Sequence, residues 1–128
     1  MRKWSGLLLW MLAFSAAANG RWEVVVESPA ETIALEVNSL DRVADRVSFR
    51  LRQVPRDAQF DASSRRPVRE ILLKHMVDCR SRRMATLSRA VFSDNDAMIN
   101  YQAVRPLKAE WALMPQDDLL IKRVCQSL

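Results

Sequence analysis

Polar and apolar side chains alternate along the first half of the chain. In VSFRLRQ (47–53), Val47, Phe49 and Leu51 alternate with polar side chains, which predicts a strand with one buried face. The same alternation occurs in TIALEV (32–37), and WEVVV (22–26) before it is a short β-branched run. These three segments predict a meander of antiparallel strands, and the polar run 38–46 is predicted to hold a turn between the second and the third.

The middle of the chain continues with strand patterns after an interruption. Residues 55–67 are rich in Arg, Asp, Ser and Pro without an apolar period, which predicts an exposed loop. REILLKHMVDC (69–79) follows, and with a period of two its apolar face carries Ile71, Leu73, His75, Val77 and Cys79. RMATLSRAVF and AMINYQAV are two further predicted strands, joined by the turn SDND at 93–96.

The period changes at the C-terminal end. Ile121, Val124, Cys125 and Leu128 are spaced i, i+3, i+4, i+7, which predicts a helix with one apolar stripe, broadened by Leu120. Pro115 is predicted in the first helical turn, Asp117 and Asp118 at the positive end of the helix dipole, and Lys122 and Arg123 at its negative end. The predicted class is α+β, with a mainly antiparallel sheet of about six strands and a C-terminal helix on its apolar face.

The first 20 residues have the pattern of an export signal. Arg2 and Lys3 precede an apolar run from Leu7 to Phe14, and small residues follow at 16–18. We expect cleavage after Ala18 or Gly20, which leaves one domain over residues 21–128. The apolar run is shorter than the roughly 20 residues that a transmembrane helix needs, and no second one follows, so no transmembrane anchor is expected in the mature form. The predicted location is the periplasm or the outer cell surface.

Export decides how the two cysteines are interpreted. Oxidising compartments preserve disulfides, so Cys79 is predicted to pair with Cys125 and to tie the helix to the sheet. A metal site would need more ligands than two Cys and the single His75 supply, and a thiol catalyst would need a base and an orienting group. We therefore expect no metal, no cofactor and no enzymatic activity.

Basic side chains offer one further candidate site. Removing Arg2 and Lys3 from the 20 basic residues leaves 18 against 15 acidic ones, a net charge of about +3. Arginines on one strand face and after Cys79 could bind an anion or a partner: Arg50, Arg52, Arg80, Arg82 and Arg83. The alternative is a solvated face interleaved with acids. Export argues against nucleic acid as the partner.

Several segments together resemble a known family. A Trp-led first strand, EVNSLDR and VSFRLRQ, VDCRSRRM after a variable loop, and EWALMPQDDLLIKRVC at the end are similar to the surface-adhesin E-like family of exported bacterial proteins. Trp22, Asp78, Trp111 and Pro115 also match its pattern. The resemblance implies a curved antiparallel sheet that carries a C-terminal helix, with a disulfide at Cys79 and Cys125. It also implies adhesion to host matrix and plasma proteins such as laminin, vitronectin and plasminogen.

The sequence thus favours an exported cell-envelope binding module without catalytic activity. Its expected partner is a host extracellular-matrix protein or an anionic envelope polysaccharide. The alternative is a periplasmic accessory or structural protein with no extracellular ligand. The oligomeric state stays open.

Overall fold

The computed structural model of the protein describes residues 21–126. The predicted signal peptide, residues 1–20, and Leu128 of the predicted helical stripe lie outside the described residues. Within residues 21–126, no helix has the length and hydropathy needed to cross a membrane.

The described chain forms one antiparallel sheet and one helix, as the alternating pattern predicts. The long strands are neighbours in the order β1-β2-β4-β5-β6-β7. Two short strands join them, β3 beside β4 and β8 beside β6. The bounds are β1 Trp22–Glu27, β2 Glu31–Glu36, β3 Asp41–Val43, β4 Arg46–Pro55, β5 Glu70–Asp78, β6 Arg83–Phe92, β7 Met98–Ala103 and β8 Ala112–Leu113. The predicted α+β class and the six long strands are confirmed.

Alternation along β4 and β5 separates a buried face from a polar one. Val47, Phe49 and Leu51 of β4 are buried, and the residues between them are more exposed. Phe49 lies directly opposite His75 of β5, so the apolar sets of the two strands share one face of the sheet. The predicted apolar face of residues 69–79 is therefore correct.

The flanks of the sheet differ from the simple meander. On either side of the three long central strands, the neighbouring strand is split into a long and a short piece. A 3₁₀ turn accompanies each split, Val37–Ser39 between β2 and β3 and Pro106–Lys108 between β7 and β8. The polar run 38–46, predicted as a turn, thus contains the end of the first 3₁₀ turn and strand β3. Strand β3 connects to β4 through a turn in which Ala44 has a φ of 54°.

The helix α1 begins later than the sequence predicts. It spans Leu119–Cys125, and the Asp118 side chain caps it by accepting a hydrogen bond from the Ile121 N–H at 3.0 Å. Pro115 is not in the first helical turn, so that prediction is wrong. Its carbonyl instead accepts the Asp118 N–H at 3.2 Å in a turn before the cap. The helix begins after Asp118 and not at Pro115, because the Asp118 side chain accepts a hydrogen bond from an N–H of the first turn that would otherwise have no partner.

Helix α1 packs on the apolar face of the sheet. Its buried residues join the side chains of β2, β4 and β5 in one core: Leu35, Val47, Phe49, Leu51, Val77, Leu120, Ile121 and Val124. Cys79 directly follows β5, and Cys125 is the last helical residue. They form the predicted disulfide, with an S–S distance of 2.10 Å and 5.8 Å between the Cα atoms.

This covalent link should carry much of the stability. The two cysteines are separated by 46 positions, for which loop-closure entropy gives about 4 kcal/mol. We expect the Cys79→Ala/Cys125→Ala double variant to lose about this much free energy of unfolding in urea titrations. A reductant should destabilise the wild type and leave the variant unchanged. Equal stability of the variant and the oxidised wild type would contradict the prediction.

Candidate functional site

The face of the sheet opposite helix α1 carries a group of cations. Val47, Phe49 and Leu51 point toward the helix, so the alternate side chains of β4 point away from it. The strand register adds residues from β5 and β6 to the same face. We call this surface the outer basic face and define it by Arg46, Arg50, Arg52, Lys74 and Arg83.

Arg50 lies at the centre of this face. Its Nε is 3.1 Å from Oε2 of Glu36, and its Nη2 is 3.3 Å from Oε1 of the same carboxylate. On its other side Arg50 is directly opposite Lys74 of β5. The two cations on neighbouring strands have one acid beside them, so this row keeps a positive charge.

Two tryptophans stack on arginines of β4. The guanidinium carbon of Arg52 lies 4.5 Å from the ring centroid of Trp22, and that of Arg46 lies 5.0 Å from the ring centroid of Trp111. A stacked ring covers the face of a guanidinium and leaves its in-plane N–H groups available. Each ring thus restricts the position of one arginine side chain on this face.

One end of the outer basic face forms a shallow depression. Arg46, Asp78 and Arg83 make one row across three strands, and Nε of Arg46 is 3.9 Å from Oδ2 of Asp78. The row, Ser81 and Trp111 line a depression of ≈ 310 Å³. Hydrogen bonds from the backbone N–H groups of Ser81 and Arg80, with the charge of Arg46, lower the pKa of Asp78. Asp78 therefore stays ionised and holds the row together.

Arg80 and Arg82 lie outside these rows. They belong to the turn between β5 and β6, where the N–H groups of Arg80 and Ser81 bond Oδ1 of Asp78 at 3.0 and 3.1 Å. Arg82 has a φ of 55°, and its carbonyl accepts the Met114 N–H at 2.9 Å. Of the five arginines proposed from the sequence, three thus share the outer face and two lie in the adjoining turn.

Sequence reasoning missed Arg46, Lys74 and both tryptophan stacks. Arg46 could have been found by extending the alternation of β4 by one residue. Lys74 needed the register between β4 and β5, and Trp111 needed the position of a segment far along the chain. Neither of these follows from local periodicity.

His75 and the two cysteines have structural roles. His75 is 6 % exposed, its Nδ1 lies 3.1 Å from the Thr86 hydroxyl, and its ring centroid is 6.0 Å from that of Phe49. Burial lowers the pKa of His75. Within residues 21–126, no group of three His, Cys, Asp or Glu side chains could hold a metal ion, and neither cysteine there is free.

Comparison with known proteins identifies relatives of this fold. The model of the surface-adhesin protein E family matches residues 22–126. Two structures of Haemophilus influenzae protein E, the second in crystal form II, superpose with TM-scores of 0.58 and 0.59, each at 12 % sequence identity. Each covers 85 % of this chain, and 88 % and 91 % of the respective protein E chain. A structure of protein E from non-typeable H. influenzae gives 0.51 at 11 % identity, over 85 % of this chain and 76 % of that chain. No curated protein matches the chain.

The buried histidine should produce a measurable dependence of stability on pH. Its folded-state pKa is lowered from the ordinary 6.5, so the unfolded chain binds the proton more readily than the folded one. The contribution of His75 to stability is therefore complete above pH 6.5 and is lost as the pH falls through the lower folded-state pKa. We expect the free energy of unfolding to fall as the pH is lowered below about 6.5.

The His75→Gln variant isolates this effect, because His75 is the single histidine of the chain. The variant should lose the slope in this pH range, whatever its absolute stability, when urea midpoints are compared at each pH. An unchanged slope would show that other groups cause it.

Proposed function

We propose that this chain, which belongs to the surface-adhesin protein E family, is an exported envelope protein that binds an anionic polysaccharide with its outer basic face. Membership of the family follows from the match over residues 22–126. The ligand class and the role of each arginine are our proposal.

The observation that carries the proposal is the pair of tryptophan-stacked arginines on β4. Arg46 and Arg52 are six residues apart on the same strand face, or about 20 Å at 3.3 Å per residue. Each is held by a ring, 5.0 Å and 4.5 Å from the respective centroid. Two oriented guanidinium groups at this separation suit a polymer with repeated anionic groups better than a single small anion.

Charge on the face supports the same ligand class. On β2, β3 and β5, four acids point to the same side of the sheet as the five cations of the outer basic face, Glu36, Asp41, Glu70 and Asp78, which leaves a surplus of one positive charge. Such a surplus attracts polyanions over about one Debye length and weakens with added salt. Sulfate, carboxylate and phosphate groups of a polysaccharide all fit a bidentate guanidinium.

Nucleic acid and host protein are the competing partners. The predicted export of the chain removes most encounters with nucleic acid. Aromatic rings on this face are stacked on arginines, so they are less available as the apolar anchors that dominate protein interfaces. An anionic polysaccharide of the envelope or of a host surface is therefore the favoured ligand.

Binding of a sulfated probe tests the role of the stacked arginines. We expect immobilised heparin to bind the mature protein at low salt and to release it as salt rises. The Arg46→Gln/Arg52→Gln variant should lose roughly tenfold in affinity for each arginine, because a charge-assisted hydrogen bond contributes about 1.5 kcal/mol.

The matched control is Lys122→Gln/Arg105→Gln, which removes the same charge outside the outer basic face. It should retain most of the affinity. An equal loss of affinity in both variants would show that binding depends only on net charge. No binding of heparin by the wild type at low salt would refute the proposed ligand class.

The location of the protein distinguishes the adhesin hypothesis from the alternative of a periplasmic accessory protein. If the chain is displayed, protease added to intact cells should digest it, while a periplasmic marker stays protected. Protection of the chain until the outer membrane is opened would contradict surface adhesion and favour the periplasmic role.

A further inference from the structure

The centre of the outer basic face forms a second depression, larger than the one at its end. Its volume is ≈ 390 Å³. Its polar lining residues are Ser39, Asp41, Ser48, Arg50, Lys74 and Ser88. We call it the central depression. Its lining combines cations, an acid and hydroxyl groups, so it differs in chemistry from a purely cationic surface.

The strand register arranges these groups in two rows. Arg50 of β4 is opposite Lys74 of β5, and Lys74 is opposite Ser88 of β6. Ser48, two residues before Arg50, is opposite Asp41 of β3. Positions two residues apart on a strand are separated by about 7 Å. The central depression thus has two cations in one row, and an acid with a hydroxyl group in the next.

The charges around the central depression balance. Arg50 and Lys74 supply two positive charges, and Asp41 together with Glu36, which pairs with Arg50, supplies two negative ones. Asp41 repels a ligand group that is negative, and its ionised carboxylate only accepts hydrogen bonds. A ligand unit that satisfies both rows therefore has an anionic group on one side and hydrogen-bond donors on the other.

Both rows have polar groups available for such a unit. Glu36 engages Nε and Nη2 of Arg50, and the Ser39 hydroxyl accepts the Arg50 backbone N–H at 2.8 Å. This arginine is thus fixed in place, and the donors of its Nη1 still point to no partner in the described chain. Among residues 21–126, no side-chain hydrogen bond or ion pair engages Lys74 or Asp41.

We propose that the central depression binds one uronic acid unit of the polysaccharide, with its carboxylate on Lys74 and Arg50 and its hydroxyl groups on Asp41 and Ser48. A uronic acid has its carboxylate on one side of the ring and hydroxyl groups on the other, so one ring bridges the two rows. A sulfated unit replaces hydroxyl donors with further negative charge, which Asp41 repels.

This inference rests on the proposed function and narrows it. The stacked arginines suit repeated anionic groups of any kind, whereas the central depression distinguishes between them. Because its own charges balance, it contributes specificity and orientation more than long-range attraction. The polysaccharide is therefore one with unsubstituted uronic acid units.

A smaller depression continues this site along β4 and suits a polymer. Its volume is ≈ 210 Å³, and it adds the apolar side chains of Val43 and Pro106. It shares Asp41 and Ser48 with the central depression, and Arg46 with the depression at the end of the face. The three depressions therefore form one path, on which neighbouring sugar units can lie beside the unit in the centre.

Two polymers of different acid chemistry test the inference. Oligogalacturonate has carboxylates and free hydroxyl groups without sulfate, and dextran sulfate has sulfates without carboxylates. Isothermal titration calorimetry measures the affinity of the mature protein for each. We expect the Lys74→Gln variant to lose roughly tenfold in affinity for oligogalacturonate, because the carboxylate loses a charge-assisted hydrogen bond.

The Asp41→Asn variant separates specific recognition from net charge. It removes one negative charge, so net charge alone predicts tighter binding of both polymers. We expect instead that affinity for oligogalacturonate falls roughly tenfold, because its hydroxyl groups lose a charged acceptor, while affinity for dextran sulfate does not fall. Asp57→Asn makes the same charge change at an exposed position between β4 and β5, and it should weaken neither polymer.

The outcomes distinguish this inference from the proposed function. Tighter binding of both polymers by Asp41→Asn, or unchanged affinity of Lys74→Gln for oligogalacturonate, would overturn the inference. Binding of dextran sulfate but not of oligogalacturonate by the wild type would also overturn it and leave the proposed function in place. Failure of the wild type to bind either polymer would contradict both. Folding of each variant is checked by circular dichroism.

Discussion

The attachment of helix α1 to the sheet determines which surfaces of this protein are available. The helix has seven residues, too few to be stable alone in water. It is held by the Cys79–Cys125 bond and by Leu120, Ile121 and Val124 in the core. Because the helix occupies the apolar face of the sheet, the cations of β4 and β5 remain on the uncovered face.

Local periodicity was sufficient for most of the fold. The alternation in VSFRLRQ correctly separated Phe49 from Arg50, and the cysteine pair was predictable from export together with the position of each cysteine on an apolar face. Strands β3 and β8 could not be predicted in the same way, because two or three residues show no period. Pro115 was misplaced because the sequence offered two start signals for the helix, and only the three-dimensional position of Asp118 shows which one caps it.

The candidate site depended more on long-range register than the fold did. Arg50 and Arg52 share a face by alternation alone, so sequence reasoning could find them. Lys74 joins them through the pairing of β4 with β5, and Trp111 reaches Arg46 from a segment 65 residues along the chain. The features that orient the arginines are thus tertiary, whereas the arginines themselves are visible in the sequence. A count of basic residues could therefore locate the site only in part.

The position of helix α1 also makes the two edges of the sheet different. Helix α1 contacts β1, and its Arg123 forms an ion pair with Glu23, so the helix that closes the core also protects that edge. Strand β7 at the opposite edge lies far from the helix in strand order, and residues 97–104 contain no acidic or basic side chain. A single short helix can protect only one edge of a six-strand path.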